Sequence, residues 1–251
     1  QPLAATFLIL GTNVTVLMLL VHFLVDYADL ARQLDAWVWL GRLGILSLVW
    51  GGVAAFAQQD FGRLVGYAAL HDYGAVLLGV SLGGPLGLAV TLALFAGRAL
   101  SLVLAAVGLS VLRTRLGGTH FSLGRGAINY LPWGIVGLLA GGLGLAGLPL
   151  TAGFAPRWSL LWLVAEHSTA LTLLLLLSAA SVTVGFVRGS AALVGTMPPA
   201  RLQHAPVERE SRDSTILIFF LLLIAITLSL TPQILAGPLD AALDALLPLV
   251  T

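Results

Sequence analysis

Long apolar stretches alternate along this chain with short polar ones. A helix needs about 20 mostly apolar residues to cross the hydrocarbon core of a bilayer, and it must satisfy its backbone polar groups internally. Cut on that length, the pattern predicts spans at roughly 3–25, 37–57, 62–82, 86–112, 130–150, 169–195 and 214–231. After the fifth, GLPLTAGFAPRWSLLWLVAEHS carries Gly147, Pro149, Gly153 and Pro156, which loosen the backbone or remove helical hydrogen bonds. This predicts a broken helix with a short second half near 156–165. Such breaks persist at membrane depth only where protein or a wet cavity covers the freed backbone groups, so the stretch is a functional candidate. The expected fold is an all-α integral membrane protein, one transmembrane domain over 1–251 with about seven helices, one of them broken.

The polar connections sort by charge. Arg63, then Arg113, Arg115 and Arg125, then Arg201, Arg209 and Arg212 lie on alternate connections, which an up-and-down path brings to one side. The opposite side carries Asp26, Asp29, Asp35 with Arg32, then Glu166, Asp240 and Asp244. Arginine excess marks the cytoplasmic face, so the N-terminus is expected inside and the C-terminus outside a bacterial inner membrane or an equivalent energy-conserving membrane. The segment 196–213 reads as a polar cytoplasmic loop. DYADLARQLDAW and the tail 232–251 read as amphipathic stretches along the outer interface.

Composition narrows the chemistry. Of 251 residues 59% are hydrophobic and 9% charged, against roughly 25% charged in soluble domains. All twelve basic residues are arginine and the net charge is +1, so no polybasic patch for nucleic acid exists. Absence of cysteine excludes disulfides, thiolate catalysis and iron–sulfur ligation on this chain. The five histidines are scattered, none pairs with another four residues on, and no serine occupies a nucleophile elbow. Bond chemistry, metal and cofactor are therefore all expected to lie elsewhere. The chain begins at Gln1 in apolar text without a basic leader, which reads as a processed or incomplete N-terminus rather than a signal peptide.

Against this background the charges inside spans stand out. Arg98 falls near the middle of the fourth, where a bare charge costs a few kcal/mol or more, so it must face water, protein or a carboxylate. His71 and Asp72 sit inside the third, as hydrated access to a polar axis or as a salt bridge to Arg98. Arg157 follows the Gly/Pro break and either gates an exit or snorkels to the outer interface. Asp60 and Arg63 read as a helix cap and an interfacial arginine, and Arg188 as a snorkelling one. Trp37, Trp39, Trp133, Trp158 and Trp162 suit an aromatic belt.

Two blocks resemble the antiporter-like membrane subunits of complex I and their relatives in multisubunit sodium/proton antiporters and membrane-bound hydrogenases. Gln58, Asp60, Phe61, Arg63, Tyr67 and Gly74 fall on the pattern Q-x-D-[LF]-K-R followed by A-Y-S-S-x-x-H-x-G. Ala146, Gly147, Leu148, Pro149, Ala152, Gly153 and Phe154 fall on A-G-L-P-x-x-A-G-F-x-x-K, and GFVR (185–188) resembles a later Y-x-R. The spans resemble the C-terminal half of that family's fourteen-helix fold. The resemblance implies a subunit of a complex I-type NADH-quinone assembly, or a related ferredoxin- or hydrogenase-linked one, that supplies a proton or sodium half-channel. Quinone, NADH, FMN and iron–sulfur clusters would then reside on partner subunits, and the partners would be other membrane subunits and the lipid bilayer.

The departures from the pattern define the candidate ion-pathway residues. Asn13 falls where the family carries a central lysine, Arg98 and Arg157 at two further lysine or glutamate positions, and Asp72 at the histidine, with His71 one residue earlier and about 100° around the helix. Arginine stays protonated across physiological pH, so at two places a switchable group has become a fixed charge. A structural subunit that has lost transport, and a module of a cation/proton antiporter or inorganic-carbon transporter, are the alternative readings.

Overall fold

The computed structural model describes residues 2–196 and 210–235, with 237, 238 and 241 beyond them. Its helices are α1 (Pro2–Asp26), α2 (Ala28–Gln33), α3 (Ala36–Ala57), α4 (Phe61–Ser81), α5 (Gly84–Leu116), α6 (Pro132–Ala146), α7 (Phe154–His167), α8 (Thr169–Val194) and α9 (Arg212–Leu230). Among the described residues there is no strand, only an isolated bridge between Asp60 and His120. Among the described residues six helices are long and apolar enough to cross a bilayer: α1, α3, α4, α5, α8 and α9. The chain is a multi-pass integral membrane protein.

The stretch expected to hold a broken helix forms two short helices, α6 and α7, of 15 and 14 residues. At 1.5 Å per residue each reaches about 20 Å, short of the ~30 Å hydrocarbon core. The first half ends at Ala146, four residues before the expected 150, because Gly147 turns left-handed at φ 77°. Gly147 N–H donates to Gly144 O and Leu148 N–H to Leu143 O, a Schellman-type closure that stops the helix. The second half runs from Phe154 to His167, slightly longer than 156–165. Of the polar loop expected at 196–213, residues 197–209 lie outside the described residues, and Arg212 and Asp213 already belong to the first turn of α9, capped by Ser211. The interfacial tail also lies largely outside them. In the amphipathic stretch before α3, only Ala31 of α2 is buried.

Of the six long helices α4 and α5 are the most enclosed, and α1 and α9 the least. One apolar cluster joins Phe61, Leu64 and Ala68 of α4 to Leu102 and Ala105 of α5, Leu138 of α6 and Phe186 of α8. Small residues let backbones approach: a Cβ on Gly74 would lie 2.5 Å from Leu48 N, and one on Gly51 would lie 2.4 Å from His71 N. In a bilayer, where burying apolar side chains brings no gain over lipid, close packing of this kind holds helices together.

The turn into α4 is an organising point. Asp60 Oδ1 accepts the Arg63 N–H at 3.0 Å as an N-cap, and Oδ2 accepts the Thr119 hydroxyl at 2.7 Å. Phe61 N–H donates to Thr119 O and Phe121 N–H to Gln59 O, pinning the α5–α6 connection to this turn. The Asp60→Ala variant loses a cap and the Thr119 bond together, and is expected to lower stability by about 1–2 kcal/mol. Chemical denaturation in detergent measures the difference.

Candidate functional site

Adjacent positions on α4 point about 100° apart, so His71 and Asp72 serve different neighbours. Asp72 faces α5 and α7. Its Oδ2 accepts Arg98 Nη1 at 3.0 Å, and its Oδ1 accepts Arg157 Nη2 at 2.6 Å. One carboxylate thus bridges two guanidiniums, with Asp72 4% exposed and both arginines 3%. Arg157 therefore does not snorkel to an interface; it is turned into the bundle.

The broken helix explains why it turns inward. In an unbroken helix Leu145 O would accept the N–H of residue 149, but Pro149 has none. Arg157 Nη2 donates to Leu145 O at 2.9 Å instead, filling the vacancy that the proline creates. A Cβ at Gly147 would lie 2.7 Å from Arg157 Cγ, so glycine here serves both the left-handed turn and the passage of the arginine stem. Arg98 is anchored in the same manner: Nη1 donates to Ala69 O at 2.7 Å, and its guanidinium carbon lies 5.2 Å from the centre of the Tyr73 ring, a cation–π contact.

His71, fully buried, faces α3 and α8. Its Nδ1 is 2.9 Å from Ser178 Oγ and 3.1 Å from Leu48 O, and the Ser178 hydroxyl donates to the same carbonyl at 2.6 Å. Ser178 did not stand out in the sequence. Serine on an apolar helix usually bonds its own preceding turn, as Ser181 does to Leu177 O, and nothing local distinguishes the two. Four buried nitrogens in this region have no hydrogen-bond partner among the described residues: His71 Nε2, Arg98 Nε, and Arg157 Nε and Nη1.

The structure brings together Asp72, Arg98 and Arg157, with His71 back to back with Asp72. Asn13 stays apart from them, half-buried on α1 and without a side-chain hydrogen bond to the described residues. Arg188 donates to Phe56 O and lies over the Phe56 ring, near the α3 C-terminus. Among the described residues no group of histidines and carboxylates could hold a metal ion.

A bundle of apolar spans that includes a broken helix, with ionisable side chains gathered in its interior, defines a multi-pass membrane protein of the antiporter-like class. Residues 1–183 match the family described as NADH:quinone oxidoreductase/Mrp antiporter, transmembrane, and the chain belongs to that family. It is 30% identical over 171 residues to NADH-quinone oxidoreductase subunit N of Chromohalobacter salexigens, covering 66% of this chain and 35% of that one. It is 28% identical over 149 residues to F(420)H(2) dehydrogenase subunit M of Methanosarcina mazei, covering 59% and 30%.

Among solved structures, a chain of respiratory complex I from Thermus thermophilus superposes with a TM-score of 0.73 at 25% identity, over 92% of this chain and 49% of that one. A chain of the Mrp complex from Dietzia sp. shares the fold with a TM-score of 0.71 at 16% identity, over 84% and 47%. Both solved neighbours are chains of multisubunit membrane complexes. The chain spans about a third of the length of the two curated relatives and about half of the two solved chains.

Proposed function

We propose that the chain is a membrane subunit of a redox-driven, complex I-type assembly, to which it contributes a half-channel for protons or sodium. The observation that carries this reading is the Arg98–Asp72–Arg157 bridge, a buried ionic element that joins a continuous span to a broken helix. Charges in the interior of a membrane bundle are costly and are kept where they serve an ion path. In this reading Arg98 is the central charge, His71 and Asp72 form a lateral or cytoplasmic connection, Arg157 belongs to the region toward the outside, and Asn13 lines the path without carrying charge. NADH, FMN, iron–sulfur clusters and quinone are bound by partner subunits. The N-terminus of the chain faces the cytoplasm and its C-terminus the outside, in keeping with the arginine-rich connections.

A second reading has its own support. Both Asp72 oxygens are engaged by fixed cations, and arginine stands at two places where a titratable group is expected, as suits a structural subunit that keeps the fold without moving ions. The Arg98→Ala variant in the assembled complex separates the two. Reconstituted in vesicles, it is expected to retain electron transfer and lose ion translocation; unchanged pumping by an assembled variant complex would favour the structural role.

A further inference from the structure

We propose that the Arg98–Asp72–Arg157 cluster binds one small monovalent anion, chloride being the simplest, on the side of the guanidiniums turned away from Asp72. The first argument is charge. Two guanidiniums and one carboxylate leave an excess of one positive charge, and Asp72 is the only buried carboxylate among the described residues. An uncompensated charge in a low-dielectric interior costs several kcal/mol even after relaxation. A partner subunit's carboxylate cannot supply the balance by contact, because Asp72 and both arginines are at most 4% exposed within this chain.

The second argument is hydrogen bonding. Arg157 Nε and Nη1 and Arg98 Nε are buried donors with no acceptor among the described residues. Every guanidinium N–H is a donor and none can accept, so these atoms call for an electron-rich ligand and repel a cation. Third, Arg157 rises from the first turn of α7, which begins at Phe154, where the helix dipole presents its positive end. The groups packed around the cluster add no compensating negative charge: His71 and Tyr73 from α4, Ser178 from α8, and the carbonyls of Ala69 and Leu145, which are already engaged. A halide satisfies both the charge and the donors, whereas water satisfies only the donors.

This inference rests on the bridge geometry and does not require that the chain translocate ions. The test uses the purified full chain in detergent, with chloride exchanged for gluconate at constant ionic strength. Radiolabelled chloride is expected to bind saturably, one per chain, and to raise the unfolding temperature with the same concentration dependence. Arg157→Gln and, independently, Arg98→Gln each leave a neutral arginine–aspartate pair, so both are expected to lose chloride binding at least tenfold, while Arg157→Lys retains it. Absence of saturable binding to the unaltered chain, or equal binding in a folded Gln variant, overturns the proposal. Because the assay involves neither partner subunits nor pumping, a failed translocation experiment on the complex leaves it untouched.

Discussion

Asp72→Asn is expected to destabilise the bundle by about 3–5 kcal/mol, the cost of leaving buried charge without its counterpart. Asparagine fills the same volume, so the loss is electrostatic rather than a cavity effect. Two guanidiniums, each tied to Asp72 at 3.0 Å or less, would remain buried side by side. Arg157→Gln is expected to cost less, although it also gives up the bond to Leu145 O, because it leaves Arg98 and Asp72 as a neutral pair. The combination of Asp72→Asn with Arg98→Gln and Arg157→Gln is expected to recover part of the loss, as coupled residues do not add. Unfolding curves of the four proteins in chloride-free detergent solution check the ranking; equal losses for Asp72→Asn and Arg157→Gln would contradict it.

Gly74→Leu is expected to break the packing of α3 on α4. Any Cβ at Gly74 would lie 2.5 Å from Leu48 N and 2.6 Å from Gly44 O, backbone atoms that no rotamer change can move aside. Overpacking costs about 1–3 kcal/mol where neighbours can adjust, and more is expected where two backbones must separate. The shift would also pull Leu48 O away from His71 and Ser178. Gly66→Leu on the same helix is the control, since nothing lies within 4 Å of its Cβ position. The protein has no cysteine, so one engineered pair across α3 and α4 reports their separation: disulfide formation is expected to slow in Gly74→Leu and to stay unchanged in Gly66→Leu.

Some of the site can be read from single residues. A charge at the centre of an apolar span has to be buried against a partner, and Arg98 is. The Gly147–Pro149 pair announced a break, and a break in a membrane has to be covered by other groups. The choice between a gating and a snorkelling Arg157 could not be made locally, because its direction depends on a carbonyl 12 residues earlier and a carboxylate 85 residues earlier. Ser178 was illegible for a similar reason: its partners are 107 and 130 residues away. Asn13 illustrates the opposite limit, since its place in a family pattern does not bring it into the ionic cluster.

From sequence one learns the membrane class, the crossings and the break, because these depend on quantities local to a segment: the apolar length that matches a bilayer, and the missing amide of a proline. Tertiary structure alone decided that Asp72 is shared by two arginines, that His71 faces the other way toward Ser178, and that the bridge carries a surplus positive charge. Those outcomes depend on which helices meet and how closely, and glycines such as Gly74 and Gly147 set that approach. A charge in a span demands a partner; only the packing of the whole bundle names it.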